Sequence, residues 1–276
     1  MIKINKDLDD IPESLKPTTV DFFVLPSIPP NAIKTHNARL DIIKHGAYYN
    51  EKTYNKFYKQ NDIKEKLNNI YHQKCAFCEQ RVEQMHIEHY RPKKEKGEDS
   101  YAYYWLAFSW DNLLFACPNC NSNKGCKFKI KGIRADFRKS RTELKNINTL
   151  SAEYYNIEIP LMVNPEVINP EGYIMFTQDG KIHSDDEKFD YTINACRIDR
   201  KDLNDQRRKI IDDFRNHIIA QTKYSKTKDD RLKAIKIVIS MFYEDATDKL
   251  NTFLAFRKYA ISEKWINDII LQEVTN

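Results

Sequence analysis

The sequence of 276 residues contains no uninterrupted apolar run of membrane-spanning length. Its first ten residues mix charges and lack the apolar segment of an export signal. No internal repeat and no low-complexity linker divides the sequence. We therefore expect a cytoplasmic protein without a membrane segment, in which the cysteines stay reduced and do not form disulfides.

The composition is that of a globular protein. Hydrophobic residues make up 41%, aromatic residues 12% and charged residues 31%, which supplies a core and a strongly solvated surface. The net charge of +5 is unevenly distributed, because eight basic residues and a single acid lie between Lys124 and Arg141. Such a basic run is most often a solvated face, and the alternative is a surface that binds nucleic acid.

Four of the six cysteines form two matched pairs, Cys75-x-x-Cys78 and Cys117-x-x-Cys120. One such turn supplies two thiolates to one side of a metal ion, and two turns complete a tetrahedral shell, so the pattern predicts a structural zinc site. The alternative is a redox-active thiol pair, which predicts a thiol oxidoreductase without bound zinc. The two cysteines outside the pairs, at positions 126 and 196, are predicted to be ordinary buried or half-buried thiols.

The segment between the two cysteine pairs contains Glu88, His89 and Asn112. These residue types can hold a second metal ion and activate a water molecule. The local pattern predicts a strand that ends near Tyr90, followed by a loop, a second strand and a helix that begins near Asn121. A strand, loop, strand and helix around a metal site is the predicted arrangement.

The rest of the chain is predicted to be mostly helical. Prolines before residue 31 indicate an extended arm, and apolar residues at helical spacing then indicate a helical hairpin. A turn signal at Gln178–Gly180 predicts a small β-hairpin, and helices are predicted from Asp190 to the end. The predicted division is an arm and helical hairpin at 1–70, the metal-bearing core and basic run at 71–141, an irregular extension with the hairpin at 142–200, and a helical region at 201–276.

Four motifs, in this order along the chain, resemble the HNH endonucleases with a ββα-metal site. They are Cys75-Ala-Phe-Cys78, Ile87-Glu-His-Tyr-Arg-Pro-Lys93, Trp110-Asp-Asn-Leu113 and Ala116-Cys-Pro-Asn-Cys-Asn-Ser-Asn-Lys-Gly125. More narrowly, the flanking sequence resembles the HNH nucleases of Septu and retron-associated anti-phage systems. The features that carry this resemblance are Tyr71–Glu79, Pro160–Pro165, Thr192-Ile193 and Leu203–Arg207. The resemblance implies an α+β protein in which a ββα-metal core with a Cys₄ zinc site is embedded in a mostly helical chain.

Carried onto this sequence, the resemblance makes His89 the general base that deprotonates the attacking water. Glu88 and Asn121 would hold a single Mg²⁺ or Mn²⁺ ion through oxygen donors. In a regular strand His86 faces the same side as Glu88, so it is an alternative ligand. Asn112 would fix the loop between the strands and so orient His89 rather than touch the substrate.

The same resemblance implies a nucleic acid substrate, with DNA favoured, whose phosphates Lys124 and Lys127 would contact. It also implies an ATPase partner, PtuA, and with it a hetero-oligomer that acts in anti-phage defence. A rival prediction from another class is a zinc-stabilised nucleic-acid-binding or adaptor module that uses the basic run without catalysis.

Overall fold

The computed structural model describes residues 1–16, 29–97, 101–138 and 140–275. Parts of the predicted arm, of the charged loop and of the basic run, at residues 17–28, 98–100 and 139, lie outside the described residues, as does residue 276. None of the described helices is long and apolar enough to cross a membrane.

The described chain is mostly helical with two small antiparallel sheets. Its helices are α1 (Pro30–His45), α2 (Glu51–Tyr58), α3 (Asn61–Ile70), α4 (Pro118–Lys124), α5 (Arg141–Lys145), α6 (Leu150–Glu153), α7 (Tyr155–Glu158), α8 (Glu187–Cys196), α9 (Lys201–Lys223), α10 (Lys228–Thr247), α11 (Leu254–Ser262) and α12 (Trp265–Thr275). The strands are β1 (His86–His89), β2 (Leu113–Ala116), β3 (Met175–Phe176) and β4 (Ile182–His183). The predicted α+β class is confirmed, while the four-part division of the chain stays a prediction.

The first sheet and the helix behind it form the predicted ββα unit. β1 pairs with β2 in an antiparallel register that places His86 opposite Ala116 and His89 opposite Leu113. β2 runs directly into the second cysteine pair, and α4 follows and packs against β1. Because the central residues of both strands are buried, this small unit lies inside the protein and the surrounding helices cover it.

α4 begins earlier than the sequence pattern indicates. The helix was expected to begin near Asn121, where polar side chains could cap it, but it begins at Pro118. The Cys117 thiol caps it by accepting a hydrogen bond from the Cys120 backbone N–H at 3.4 Å, and proline suits the first helical position. Consequently Cys120 and Asn121 lie in the first turns of the helix rather than before it.

The predicted helical hairpin contains a break. The apolar spacing predicts one helix from Glu51 to about Tyr71 as the second half of this hairpin, but Gln60 has an extended backbone and separates α2 from α3. Its side-chain amide donates hydrogen bonds to the Phe57 carbonyl at 3.0 Å and to Thr35 Oγ1 at 3.1 Å. The first bond satisfies a backbone carbonyl at the end of α2, and the second connects this end to α1. Together they compensate for the helical hydrogen bonds lost at the break.

The N-terminal arm docks beneath the ββα unit through a buried lysine. Lys6 Nζ donates to the backbone carbonyls of Trp110 and Leu113 at 2.7 Å each, and it forms an ion pair with Glu166 at 3.1 Å. The ammonium also lies 3.9 Å from the centre of the Trp110 ring. Paired and hydrogen-bonded in this way, the buried charge fixes the turn that leads into β2.

Residues 142–200 contain more helix than predicted. The β-hairpin is present, with Met175 opposite His183. The short helices α5, α6 and α7 were not predicted, although Ser140 and Glu143 form a capping box that the sequence displays. Farther on, the apolar spacing predicts a helix over about 246–259, but α11 begins at Leu254, because residues 248–253 connect α10 to α11 without helix.

Candidate active site and metal centre

The two cysteine pairs meet at one point, as predicted. The ligand atoms of Cys75, Cys78, Cys117 and Cys120 all lie within 4.8 Å of one another, and all four residues are buried. Cys78 Sγ lies 3.7 Å from Cys117 Sγ. A tetrahedral zinc ion with Zn–S bonds of about 2.3 Å requires S···S separations of about 3.8 Å, so the thiols fit this ion. Cys126 is half-buried, Cys196 is buried, and none of the six cysteines forms a disulfide.

The four thiols differ in acidity, because burial raises the pKa of Cys75 and the hydrogen bond with Cys117 raises the pKa of Cys120. Hydrogen bonds from the Cys120 thiol and the two other thiols, together with the Cys120 backbone N–H, hold the pKa of Cys117 well below its usual range. Arg200, which precedes α9, places its guanidinium 3.6 Å from Cys120 Sγ and 4.0 Å from the sulfurs of Cys78 and Cys117. A Cys₄ zinc site carries net negative charge, so this cation compensates it and connects the cluster to the C-terminal helices.

His89 is the last residue of β1, and its imidazole is buried. Nε2 lies 2.9 Å from the Ala107 carbonyl oxygen, and the ring contacts the Tyr58 ring edge-on with centroids 4.6 Å apart. Because a carbonyl oxygen only accepts hydrogen bonds, Nε2 must carry the hydrogen and Nδ1 holds the basic lone pair. Burial, and then the positive charge of Lys93, lower the pKa of His89 well below its usual value, so the ring is neutral at pH 7.

Glu88 precedes His89 and is also buried, but it already has a cationic partner. Lys124 Nζ, in the last turn of α4, donates to Glu88 Oε1 at 2.7 Å and to the His89 carbonyl at 2.7 Å. Burial raises the pKa of Glu88, while the charge of Lys124 acts in the opposite direction. Lys124 was expected to contact substrate phosphate at the surface, whereas its side chain is completely buried here.

Asn121 lies one helical turn before Lys124 and contacts a different residue of β1. Its Nδ2 lies 2.9 Å from His86 Nδ1 in an exposed pair. Glu88 and Asn121 therefore offer the oxygen donors that a divalent cation prefers, and His86 adds a nitrogen donor beside Asn121. The residues fit such an ion by type, although Glu88 would first have to exchange its lysine partner for the metal.

Asn112 is completely buried and holds the chain just after His89. Its Oδ1 accepts a hydrogen bond from the Arg91 backbone N–H at 2.8 Å, and its Nδ2 donates to the Arg91 carbonyl at 3.0 Å. Its own carbonyl accepts the Tyr90 N–H at 2.8 Å. The Asn112 side chain thus makes the pair of backbone hydrogen bonds that a neighbouring strand would make to Arg91. These bonds fix the backbone where β1 ends.

A buried ion pair extends this support. Arg91 Nε donates to Glu158 Oε2 at 2.7 Å, and both side chains are almost completely buried. Glu158 also accepts a hydrogen bond from the Tyr103 hydroxyl at 2.8 Å. Helix α7 is therefore connected through Arg91 to the residues that position His89.

Comparison with known proteins agrees with this geometry. The model of the HNH endonuclease family matches residues 73–127, a range that contains both cysteine pairs, both strands and α4. We refer to residues 73–127, which match this family, as the HNH domain. The matched range lies within the predicted metal-bearing core and basic run at 71–141.

Two curated proteins of Bacillus mycoides (strain KBAB4) are similar to parts of the chain. The chain is 30% identical to Septu protein PtuB over 169 residues, which is 57% of this chain and 53% of the relative. It is 24% identical to Septu protein PtuA over 151 residues, 52% of this chain and 20% of the relative. The chain therefore spans about half the length of the first relative and a fifth of the second. No solved structure matches the chain.

A pair of lysines, Lys93 in the HNH domain and Lys59 before it, was not anticipated from the sequence. Lys93 Nζ donates to the Tyr58 hydroxyl at 3.2 Å and lies 4.8 Å from the centre of the Tyr58 ring, and Lys59 Nζ lies 5.7 Å from the same centre. The charge of Lys93 lowers the pKa of both Glu88 and His89, so one ammonium lies near both groups. Within the described residues neither lysine forms an ion pair with a carboxylate.

The basic run after the HNH domain is not one uniform surface. Lys127 is exposed, as expected, and its Nζ donates to the Asn123 carbonyl at 2.8 Å. Lys131 forms an ion pair with Glu187, and Arg134 donates to the Ala102 carbonyl at 2.6 Å. Several of these charges are thus already engaged within the protein, and Lys124 belongs to the interior.

Proposed function

We propose that this protein is a metal-dependent HNH endonuclease that hydrolyses phosphodiester bonds, with DNA as the favoured substrate. The observation that carries the proposal is His89, a buried neutral imidazole at the end of β1 whose Nε2 is held by the Ala107 carbonyl. A base fixed in one tautomer and unprotonated at neutral pH is ready to accept the proton of an attacking water. The HNH domain and the similarity to PtuB support the same activity.

Glu88 and Asn121 would hold one divalent cation, Mg²⁺ or Mn²⁺, with His86 as an alternative ligand. Such an ion stabilises the charge that develops on the phosphate and on the leaving 3′-oxygen. The cysteine cluster would hold zinc, which keeps β1 and α4 together and leaves no open position for substrate. In this proposal Asn112 is a positioning residue, because its hydrogen bonds are made to the backbone of Arg91.

We assign phosphate contacts to Lys93 and Lys59, with Lys127 as a more distant contact. Lys93 is half-buried beside His89 and Glu88, and the Lys93 and Lys59 ammonium groups both lie near the Tyr58 ring without an ion pair to a carboxylate of the described chain, although the charge of Glu51 acts on both. Such a pair of like charges favours an anion. A phosphodiester at His89 would supply that anion.

Lys93→Gln should weaken DNA binding and lower the slope of log Kobs against log salt concentration by about 1, since one phosphate contact is lost. Fluorescence anisotropy with a short DNA duplex, without added divalent metal, measures both quantities. Lys56→Gln is the matched control, because Lys56 is an exposed lysine of α2 whose ammonium lies 5.2 Å from the Phe57 ring. An unchanged slope for Lys93→Gln would remove Lys93 from the substrate surface.

The pH dependence of cleavage follows from the lowered pKa of His89. A general base must be unprotonated, so log(kcat/KM) should stay level on acidification until the pH falls below about 6.5, the ordinary histidine value. Lys93→Gln should move this acidic limb to higher pH, because the removed cation lowers the pKa of His89. A limb at or above pH 6.5 in the parent protein would contradict this role for His89.

We further propose that the protein is the effector nuclease of a Septu-type anti-phage system. It would act in the cytoplasm together with a PtuA-type ATPase, in a hetero-oligomer, on invading nucleic acid. The similarity to PtuB supports this proposal. Co-expression with a PtuA-type ATPase, followed by co-purification and cleavage assays on DNA and RNA, tests it; a nuclease that neither associates with the ATPase nor responds to it would oppose it.

One observation favours a second candidate, a nucleic-acid-binding or adaptor module without catalysis. Glu88 is engaged by Lys124 rather than open to a metal ion. This module would retain DNA but give no product with any divalent metal, whereas the nuclease gives product that depends on the added metal.

A further inference from the structure

The Lys124 ammonium binds the carboxylate of Glu88, which is a proposed ligand of the metal ion. It donates to a carboxylate oxygen of Glu88 and to the His89 carbonyl, both at 2.7 Å, and its side chain has no solvent exposure. The pair connects the last turn of α4 to the end of β1. Glu88 is therefore charge-compensated before any metal ion arrives.

We propose that Lys124 is an internal cation that occupies Glu88 in the metal-free protein and must release it when a divalent cation binds. This inference rests on the proposed function, because it takes Glu88 as a metal ligand. A divalent cation bound to Glu88 would lie close to the Lys124 ammonium, and the repulsion between the two cations makes their binding to Glu88 competitive. The lysine stem is long and flexible, which allows the ammonium to leave without unfolding α4.

Of the described charged and titratable groups near Glu88, Lys124 is the one that forms a hydrogen bond with its carboxylate. Lys93 is near Glu88 electrostatically, but its Nζ donates to the Tyr58 hydroxyl. Asn121 faces His86, and the other close neighbour, Cys196, is a buried thiol whose pKa burial raises. Metal affinity is then set by the fraction of molecules in which Lys124 has released Glu88.

Lys124→Met should bind Mn²⁺ roughly tenfold or more tightly than the parent, because the competing state is removed. Isothermal titration of the full-length, zinc-loaded protein measures Kd, and the Mn²⁺-induced rise in Tm should also be larger in the variant. Lys131→Met is the control for loss of one positive charge from the same basic run, and it should match the parent. Glu88→Gln should abolish the Mn²⁺ heat and so assign it to this site.

Equal Mn²⁺ affinity in Lys124→Met and the parent would overturn the inference. If Lys124→Met does not fold, Lys124→Arg keeps the test open: its guanidinium retains the charge and can bind Glu88 through two hydrogen bonds, so it should bind Mn²⁺ no more tightly than the parent. Tighter binding by Lys124→Arg would equally overturn the inference. If the parent protein cleaves DNA with Mn²⁺ but Lys124→Met has the same Mn²⁺ affinity as the parent, only the role of Lys124 is rejected. If the parent does not cleave DNA and no variant binds Mn²⁺, the proposed function is rejected as well.

Discussion

His89→Ala should lower the cleavage rate by about 10²–10⁴-fold, the usual contribution of a general base, while the zinc content and fold persist. The imidazole contributes one hydrogen bond to the Ala107 carbonyl and an edge contact to Tyr58, but it is no part of the cysteine cluster. Its loss removes the basic Nδ1 and leaves a cavity that lowers the free energy of unfolding by about 2–5 kcal/mol, less than a structural zinc site contributes. Cleavage kinetics in Mn²⁺, zinc analysis and circular dichroism on the same preparation separate these effects.

His183→Ala is the control for His89→Ala, because His183 is exposed on β4 and lies outside the proposed site. It should cleave at the parent rate. His89→Ala that cleaves as fast as the parent would show that His89 is not the base. His89→Ala that loses zinc would show instead that this histidine is needed for the fold.

Cys117→Ser should lose both zinc and the folded core. Cys117 connects the end of β2 to α4, caps that helix and lies 3.7 Å from Cys78 Sγ, so its loss opens the cluster at the junction of two elements. A structural zinc site contributes about 10–16 kcal/mol in small zinc domains, which is as large as the whole free energy of unfolding of a typical protein. Zinc analysis together with thermal unfolding measures the effect.

Cys126→Ser is the matched control for Cys117→Ser, because Cys126 is a half-buried thiol outside the cluster. It should retain zinc and the parent Tm to within a few degrees. Retention of zinc and cooperative unfolding by Cys117→Ser would contradict the structural role of the cluster. Free, titratable thiols without zinc in the parent protein would instead support the thiol oxidoreductase alternative.

The local core could be predicted because its signals are short-range. The paired Cys-x-x-Cys spacings and the proline near the end of β1 indicate two strands and a helix around a metal site. The structure contains these elements as β1, β2 and α4. The start of α4 was wrong by about three residues, because the cap is a cysteine thiol and not one of the polar side chains after Cys120. Gln60 likewise interrupts the predicted helix, and its side-chain amide donates a hydrogen bond to Thr35 of α1.

The surroundings of the site depend on contacts between distant residues. Lys124 was expected at the surface with the rest of the basic run, and only the packing of α4 on β1 places it against Glu88. Arg200 reaches Cys120 across 80 positions of sequence, and Lys93 meets Tyr58 across 35. No local pattern marks such residues, because their roles arise from charges that must be compensated after the chain has folded.

The most direct test of the account is cleavage of end-labelled DNA by the purified protein, alone and with a PtuA-type ATPase, with and without Mn²⁺ or Mg²⁺. A metal-dependent HNH endonuclease gives products with 5′-phosphate and 3′-hydroxyl ends that require the added metal and are lost in His89→Ala, while zinc stays bound. DNA that is bound but never cut under any divalent metal, with or without the ATPase, would contradict the account.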